Sequence, residues 1–493
     1  MKKLLYICAA NPIVCVMTNR QYFSRLKAIW TLALIFTAAL AQGQPVRTSF
    51  FMEGSQYRLQ LNPALPPDAG FVSLPFVGNA GAWENSDVLT AGDFFDMMQN
   101  VDDVDYYATD KFYAKLKDRN RITAGANDDL MAAGWWHGDN FYSVSVGVKA
   151  DGHVNAPLEM FTFMRDMRGM NTNDYTDYEC AMRDIEVSVN TYAEIGVGYS
   201  RIINDRLTIG GRVKGLLGLG NADFKARYLT VATQLTGLDP NLNWSTASLV
   251  DFTHARGTAQ VLADARLLSS FKGLELVTND EGYIETVRLK RRNMGVSGWG
   301  AALDAGMAYQ VNNRVTLSAS VTDLGFIRWS QGCTEDAYAN TDDLAFDSNH
   351  PGNVMRFFSI IGRDEPINLH LLRLTPTGEH FSHTTSLAAS FSLGGQYRSI
   401  DKRFGFGALY SCHAAKSKTL SEFTIGADFR PVALFDVAVS YSPILCGGQA
   451  FGVAMKLGPL FVGTDYLYLG SKAKSVNALI GLSFPIGSPR DAF

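Results

Sequence analysis

The sequence predicts an all-β chain closed into a transmembrane antiparallel β-barrel, and three observations carry that reading. Short segments alternate apolar with small or polar residues at a period of two. The less apolar face holds Gly, Ser and Thr with a thin scatter of charge, unlike the charged outer face of a soluble sandwich. After the N-terminal leader there is no run of about 18 or more apolar residues, so the chain offers no membrane helix.

The alternation is clearest from Leu387 to Phe484. Phe404, Phe406, Ala408 and Tyr410 share one face; so do Phe423, Ile425, Ala427 and Phe429, against Thr424, Gly426 and Asp428. Val437, Val439 and Tyr441 repeat the pattern, as do Val453, Met455 and Leu457, and then Val476, Ala478, Ile480, Leu482 and Phe484. A face this apolar suits lipid, and only a closed sheet places backbone there without orphaned donors and acceptors. The other face suits a wet lumen.

From the N-terminus, Met17 opens a secretory signal: Arg20, Arg25 and Lys27 precede the apolar run Ala28 to Leu40, and Ala39-Leu40-Ala41 is a cleavage site of small residues. Residues 1–41 are therefore expected to be removed, with Met17 as the true start. Residues 42–68 lack alternation and carry Pro63, Pro66 and Pro67, which predicts a segment that plugs or caps the barrel. The barrel is expected over residues 69–484, with about 14 strands and a range of roughly 12 to 16. Its first strand starts at Gly70. Residues 89–119 interrupt with an acidic helical insertion, and a short extramembrane helix follows Pro157, whose Leu158, Phe161, Met164 and Met167 form a helical stripe.

Val187 to Tyr199 and Leu207 to Val213 read as a hairpin. Less regular strands follow at Phe224 to Val231, Trp244 to Phe252 and Gln260 to Leu267. Gly295 to Tyr309 is unambiguous, with Trp299, Ala301, Leu303, Ala305, Met307 and Tyr309 opposed to Ala302, Asp304 and Gly306. Residues 330–354 carry Glu335, Asp336, Asp342, Asp343 and Asp347 and are expected to be a long polar external loop; residues 485–493 form a tail. The 45 glycines against 16 prolines in 493 residues fit small lumen side chains and tight turns.

Chemistry is sparse. Glu379-His380-Phe381-Ser382-His383 has no H-E-x-x-H pattern, so its histidines read as turn residues, as does His137 beside Trp135 and Trp136. No nucleophile elbow, phosphate loop or dinucleotide fingerprint occurs, so neither an enzyme nor a cofactor or metal site is expected. Cys180, Cys333, Cys412 and Cys446 are widely spaced and receive no role. The net charge of −4 argues against a nucleic-acid partner. Arg212, Lys214, Asp428, Asp436, Lys456 and Asp465 are candidate lumen charges, expected to pair with one another across the barrel rather than to tune a pore.

The signal, Asn62-Pro63-Ala64-Leu65, the first strand Phe71-Val72-Ser73-Leu74-Pro75-Phe76, the acidic insertion and Ala133-Gly134-Trp135-Trp136-His137-Gly138 together resemble the DUF5723 family of outer-membrane proteins from Bacteroidota. More distantly, the Asn-Pro-Ala step before a barrel of this size is similar to the long-chain fatty acid transporter family (FadL-like) and to the shuttle barrel of type IX secretion. The transporter resemblance implies that the segment around Asn62, Pro63, Ala64 and Leu65 folds into the lumen as a hatch. Two functions compete on this reading: a channel for a small hydrophobic or amphipathic solute, and a structural, assembly or secretion-partner barrel. Both place the chain in the outer membrane against lipid.

Overall fold

The structure, a computed structural model, describes residues 46–487 apart from 89, 91, 94–95, 97–108, 170–175, 240–252, 348–352, 354–356, 358–368, 415–418, 445–448 and 468–473. The expected signal peptide, the strand expected at Trp244 to Phe252, about half of the insertion at 89–119 and all but the start of the tail lie outside the described residues. What is described of the insertion includes one helical turn, α1 (Asp110–Tyr113), capped by the Thr109 hydroxyl.

The first wall strand comes in two pieces, β1 (Gly70–Ser73) and β2 (Ala80–Ser86). Then follow β3 (Arg119–His137), β4 (Asn140–Pro157), helix α2 (Leu158–Gly169), β5 (Tyr178–Asn204), β6 (Leu207–Thr236) and β7 (Arg256–Phe271). A small hairpin, β8 (Leu274–Thr278) and β9 (Ile284–Leu289), precedes β10 (Gly298–Asn312), β11 (Val315–Trp329) and β12 (Thr334–Asp347). Helix α3 (Leu369–Leu372), β13 (Thr375–Pro376), β14 (His383–Ser386) and β15 (Ala389–Arg398) lead back to the wall. The chain ends with β16 (Phe404–Ala414), β17 (Thr419–Val432), β18 (Phe435–Ile444), β19 (Ala450–Leu457), β20 (Leu460–Thr464) and β21 (Ser475–Ile486).

Every pairing is antiparallel, and β21 closes the ring by pairing with β1 and β2. With β1–β2 and β14–β15 each counted as one position, 14 strands make the wall. The connections at one end are two to five residues long, whereas those at the other reach tens of residues. That asymmetry assigns the tight turns to the periplasmic side and the long loops to the exterior. On β10 the outward side chains run from Trp299 to Tyr309, both exposed, through Leu303 and Met307. Ten residues at about 3.3 Å, tilted by about 45°, span about 23 Å, close to the apolar band of such barrels.

Strands β5 and β6 are 27 and 30 residues long, far beyond the 9–11 that cross a bilayer. On the long-loop side their ends leave the ring: β10 takes over the pairing with β6 up to Gly218, and β7 pairs with β6 beyond Gly220. These ends, β7 and β12 form an external sheet. It buries Met182, Leu229, Val231, Val261 and Ala263 with Phe163 of α2 and Leu371 and Leu372 of α3. Residues 330–354, expected as a polar loop, instead contain strand β12, whose Ala337 and Ala339 face the lobe core and whose Asp336 is bound by Arg266 at 2.9 Å. The region Gln260 to Leu267 is likewise a strand of this external lobe and not of the wall.

Candidate functional site

The lumen is filled by residues 46–68, which form two 3-10 turns, Arg47–Phe51 and Gln56–Gln60, joined through Gly54 at positive φ. Their apolar side chains, Val46, Phe50, Phe51, Met52, Tyr57, Leu61, Ala64 and Leu65, pack on inward wall residues Leu409, Ala438, Ala454, Phe461 and Leu479. Glycines make the space. Gly407 and Gly426, partners in register on β16 and β17, lie under the Phe51 ring, and Gly394 lies under Phe50. A Cβ at Gly426, Gly394, Gly210 (against Pro63) or Gly306 (against Asn62) would overlap the segment.

Polar contacts fix the segment at each end. Asp465 accepts hydrogen bonds from the Arg47 and Thr48 amides, both at 2.8 Å, from Thr48 Oγ1 at 2.7 Å and from Asn477 Nδ2 at 2.9 Å. The Arg47 guanidinium lies between Asp465 and Glu422, and Tyr466 donates to Glu422 at 2.9 Å. Further on, Arg398 holds Glu53 and Asp428, both at 2.6 Å, and donates to the Phe51 carbonyl. Arg430 bonds Asp68 at 2.7 Å and the Glu53 carbonyl at 2.8 Å. Asn62 donates to the Met307 and Ala319 carbonyls and receives the Ala64 amide, while Ser200 donates to the Pro63 carbonyl at 2.5 Å. Asn62, Pro63, Ala64 and Leu65 thus close the segment against β5, β10 and β11.

The six candidate lumen charges all sit on inward positions, but the expected pairing with one another does not occur among them. Arg212 pairs with Glu194 at 3.2 Å, and Lys214 with Asp304 at 2.7 Å and Asp323 at 2.6 Å. Lys149 completes this second network against Glu194 and Asp323. Asp428 binds Arg398 and Asp465 binds Arg47, so these two serve the N-terminal segment. Lys456 donates to the Gly54 carbonyl at 3.3 Å, and although Asp436 faces it in register, the two form no ion pair. Asp323 adopts positive φ where a bulge interrupts the β10–β11 register, and its amide donates to Asp304 at 2.7 Å. Sequence reasoning missed Glu194, Asp323, Arg398, Glu422 and Arg47. For the wall residues a signal existed, since each holds an inward place in an alternating strand.

One bulge interrupts the regular register of the wall, though Leu74 and Val77 still bond Leu482 of β21 and Phe76 and Asn79 still bond Leu130 and Asp129 of β3. Between β1 and β2 residues 74–79 leave the regular ladder, with Phe76 at positive φ and 69% exposed on the outer side. Opposite it, a register break separates Asp128 from Met131 on β3. Behind lies a cavity of about 50 Å³ lined by Tyr57, Gln60, Phe71, Asn79, Ala132 and Val144, among others. The cavity lies between the segment and the wall strands β1, β3, β4, β5 and β6.

His380 and His383 meet no common centre: His380 Nδ1 is 2.9 Å from the Thr334 carbonyl, and His383 Nε2 is 3.1 Å from Asn221 Oδ1. Among the described residues no group of three or more His, Cys, Asp or Glu side chains is placed to hold a metal. Cys180, Cys333 and Cys412 are free thiols, and Cys446 lies outside the described residues.

The family model described as "Family of unknown function (DUF5723)" matches residues 63–465, from the Pro63 closure to the Asp465 clamp. The chain belongs to the DUF5723 family. No curated protein matches this DUF5723 chain by sequence. Among solved structures it is similar to the P. putida toluene transporter TodX, at 10% identity over 88% of this chain and 95% of that one, with a TM-score of 0.41. The Ralstonia pickettii toluene transporter TbuX gives 11% over 91% and 99%, with a TM-score of 0.42. A Pseudomonas aeruginosa FadL homologue gives 10% over 90% and 98%, with a TM-score of 0.39.

Proposed function

We propose that this DUF5723 barrel is an outer-membrane channel through which a small hydrophobic or amphipathic solute passes between the N-terminal segment and the wall. The observation that carries the reading is the cavity behind residues 74–79, which lies between the segment's Tyr57 and Gln60 and the wall. Its volume of about 50 Å³ holds only a few waters, which corresponds to the closed state of such a channel. Passage requires the segment to shift, and an apolar solute then leaves sideways into lipid instead of crossing the polar lumen.

The test is uptake of a radiolabelled monoaromatic hydrocarbon into proteoliposomes by the parent and by Ser143→Leu and Ala132→Leu, which fill the cavity. Uptake should fall at least tenfold in both variants while the folded barrel is kept. Equal uptake by parent and variants, or none above protein-free liposomes, would sink the channel.

A second reading has its own support. The lumen is occupied over its charged positions, and the external lobe has a core of its own, both of which suit a barrel that carries a protein partner. Absence of hydrocarbon uptake, together with a protein retained on gentle extraction and lost on deleting the lobe, favours that reading.

A further inference from the structure

Above Trp299, at the external end of β10, the chain collects cations that the lumen networks do not use. The turn Arg291–Asn293 exposes Arg291 and Arg292, and the chain then enters β10 through Ser297, whose amide bonds the Gly218 carbonyl at 2.6 Å. Lys272 lies along Gly295 of this loop. On the neighbouring strand Arg328 stands opposite Trp299 in register, one outward step beyond Phe326. Lys290 is held by Glu275 at 3.0 Å, whereas among the described residues no carboxylate pairs with Lys272, Arg291, Arg292 or Arg328. Among the described residues Arg328 donates only to Ser382 Oγ, at 3.1 Å.

Arg328 lines an apolar cleft on the outer wall, and Arg291 and Arg292 stand in the turn that leads the chain to its Trp299 side. Trp299, Ala301, Phe326, Arg328, Ser330 and Ser382 line a space of about 410 Å³. Trp299 is 63% and Phe326 50% exposed, and both face the membrane. Trp299 marks the upper edge of the apolar belt, where indole rings sit at the headgroup level. A guanidinium fixed at that edge loses part of its hydration unless an anion meets it, and its planar fork matches a phosphate.

We propose that this rim binds a phosphorylated glycolipid of the outer leaflet. The headgroup phosphates meet Arg328, Arg291 and Arg292, and an acyl chain lies in the cleft between Trp299 and Phe326. The inference rests on the membrane orientation given by the loop asymmetry and is independent of the solute reading. Labelling of Asn293→Cys, in a chain whose Cys180, Cys333, Cys412 and Cys446 are replaced by Ser, by an impermeant maleimide in intact cells checks that orientation separately: it should label, and labelling only after lysis overturns the proposal.

The binding test is native mass spectrometry of the full chain in detergent with added bis-phosphorylated lipid A. Each arginine near an anionic headgroup is worth about fivefold, so Arg291→Ser/Arg292→Ser/Arg328→Gln should bind about 100-fold more weakly than the parent. Arg314→Ser, at the periplasmic turns, should bind like the parent, and dephosphorylated lipid A should bind the parent no better than the triple variant binds the phosphorylated form. A loss under threefold, an equal loss in Arg314→Ser, equal binding of the dephosphorylated lipid, or displacement by millimolar inorganic phosphate would each overturn the proposal. Heat-modifiable gel mobility verifies folding. Should the triple variant fail that check, Arg292→Ser alone decides, with about a fivefold loss expected and none overturning the site.

Discussion

The Asp465 clamp gives the sharpest test of how the N-terminal segment is held. Asp465→Ala removes four hydrogen bonds and one of the two carboxylates facing the buried Arg47 guanidinium. Breaking a buried pair costs about 3–5 kcal/mol, and because Glu422 still faces Arg47 the lower end, about 3 kcal/mol, applies. Burial of Phe50, Phe51, Met52, Tyr57 and Leu61, at about 1.5–3 kcal/mol each, remains and keeps the segment docked for most of the time. The population of the released segment should therefore rise by roughly 100-fold without becoming dominant. Two measurements follow that population. Trypsin cleavage at Arg58, where proteolysis tracks the open fraction, should accelerate by about 100-fold. Single-channel recordings should show brief openings that the parent lacks. Asp465→Asn, which keeps an acceptor and loses the charge, should fall between the two. Cleavage and conductance unchanged from the parent, in a barrel with normal gel mobility, would mean that Asp465 does not hold the segment and that docking is apolar alone.

Other perturbations separate the two faces of the wall and the two halves of the molecule. Ile425→Arg, on the exposed outer face of β17, should cost about 2–4 kcal/mol in folding into liposomes, with Ile425→Leu near neutral. Thr424→Arg should also destabilise, but by overpacking, since Thr424 is buried and bonded to Ser442 at 2.8 Å; Thr424→Ser should be silent. Gly426→Leu should cost about 1–3 kcal/mol through its overlap with Phe51, and Phe51→Ala in the same chain should recover part of that loss, which a double-mutant cycle measures. Leu229→Ala should cost the external lobe about 2–5 kcal/mol, seen as earlier protease attack there, while the barrel keeps its gel mobility.

The alternation that reveals the barrel also explains where it misleads. Lipid imposes a strict outward apolar face, so β10 and β21 are read almost to their ends and β16 and β17 over their central parts. A sheet covered on one face by its own helices imposes the same pattern: in β7, Ala259, Val261, Ala263 and Ala265 are buried and alternate with Gln260, Leu262 and Asp264. Period two reports that one face is dry, not what keeps it dry. Gln260 to Leu267 was therefore read with the wall strands, although it belongs to the lobe. The opposite error occurs at β12, where Glu335, Asp336, Asp342 and Asp343 hide a strand whose dry face is supplied by small residues, Ala337 and Ala339. Strand β20, five residues long, is too short for a period to show.

The lumen was readable in sign but not in detail, for a reason of distance. Asp428 and Asp465 fall on inward positions and were found by counting; their partners Arg398 and Arg47 lie 30 and 418 residues away and share no local pattern with them. The glycines make the same point. A count of 45 was enough to expect small inward side chains, yet smallness at Gly394, Gly407 and Gly426 has a specific cause, the Phe50 and Phe51 rings that enter from a segment more than 340 residues earlier. Each of these three glycines is half of a complementary pair whose other half lies in residues 46–68. It follows that the wall and the segment are one packed unit: a larger residue at such a position acts first on the docking of the segment, and only through it on the barrel.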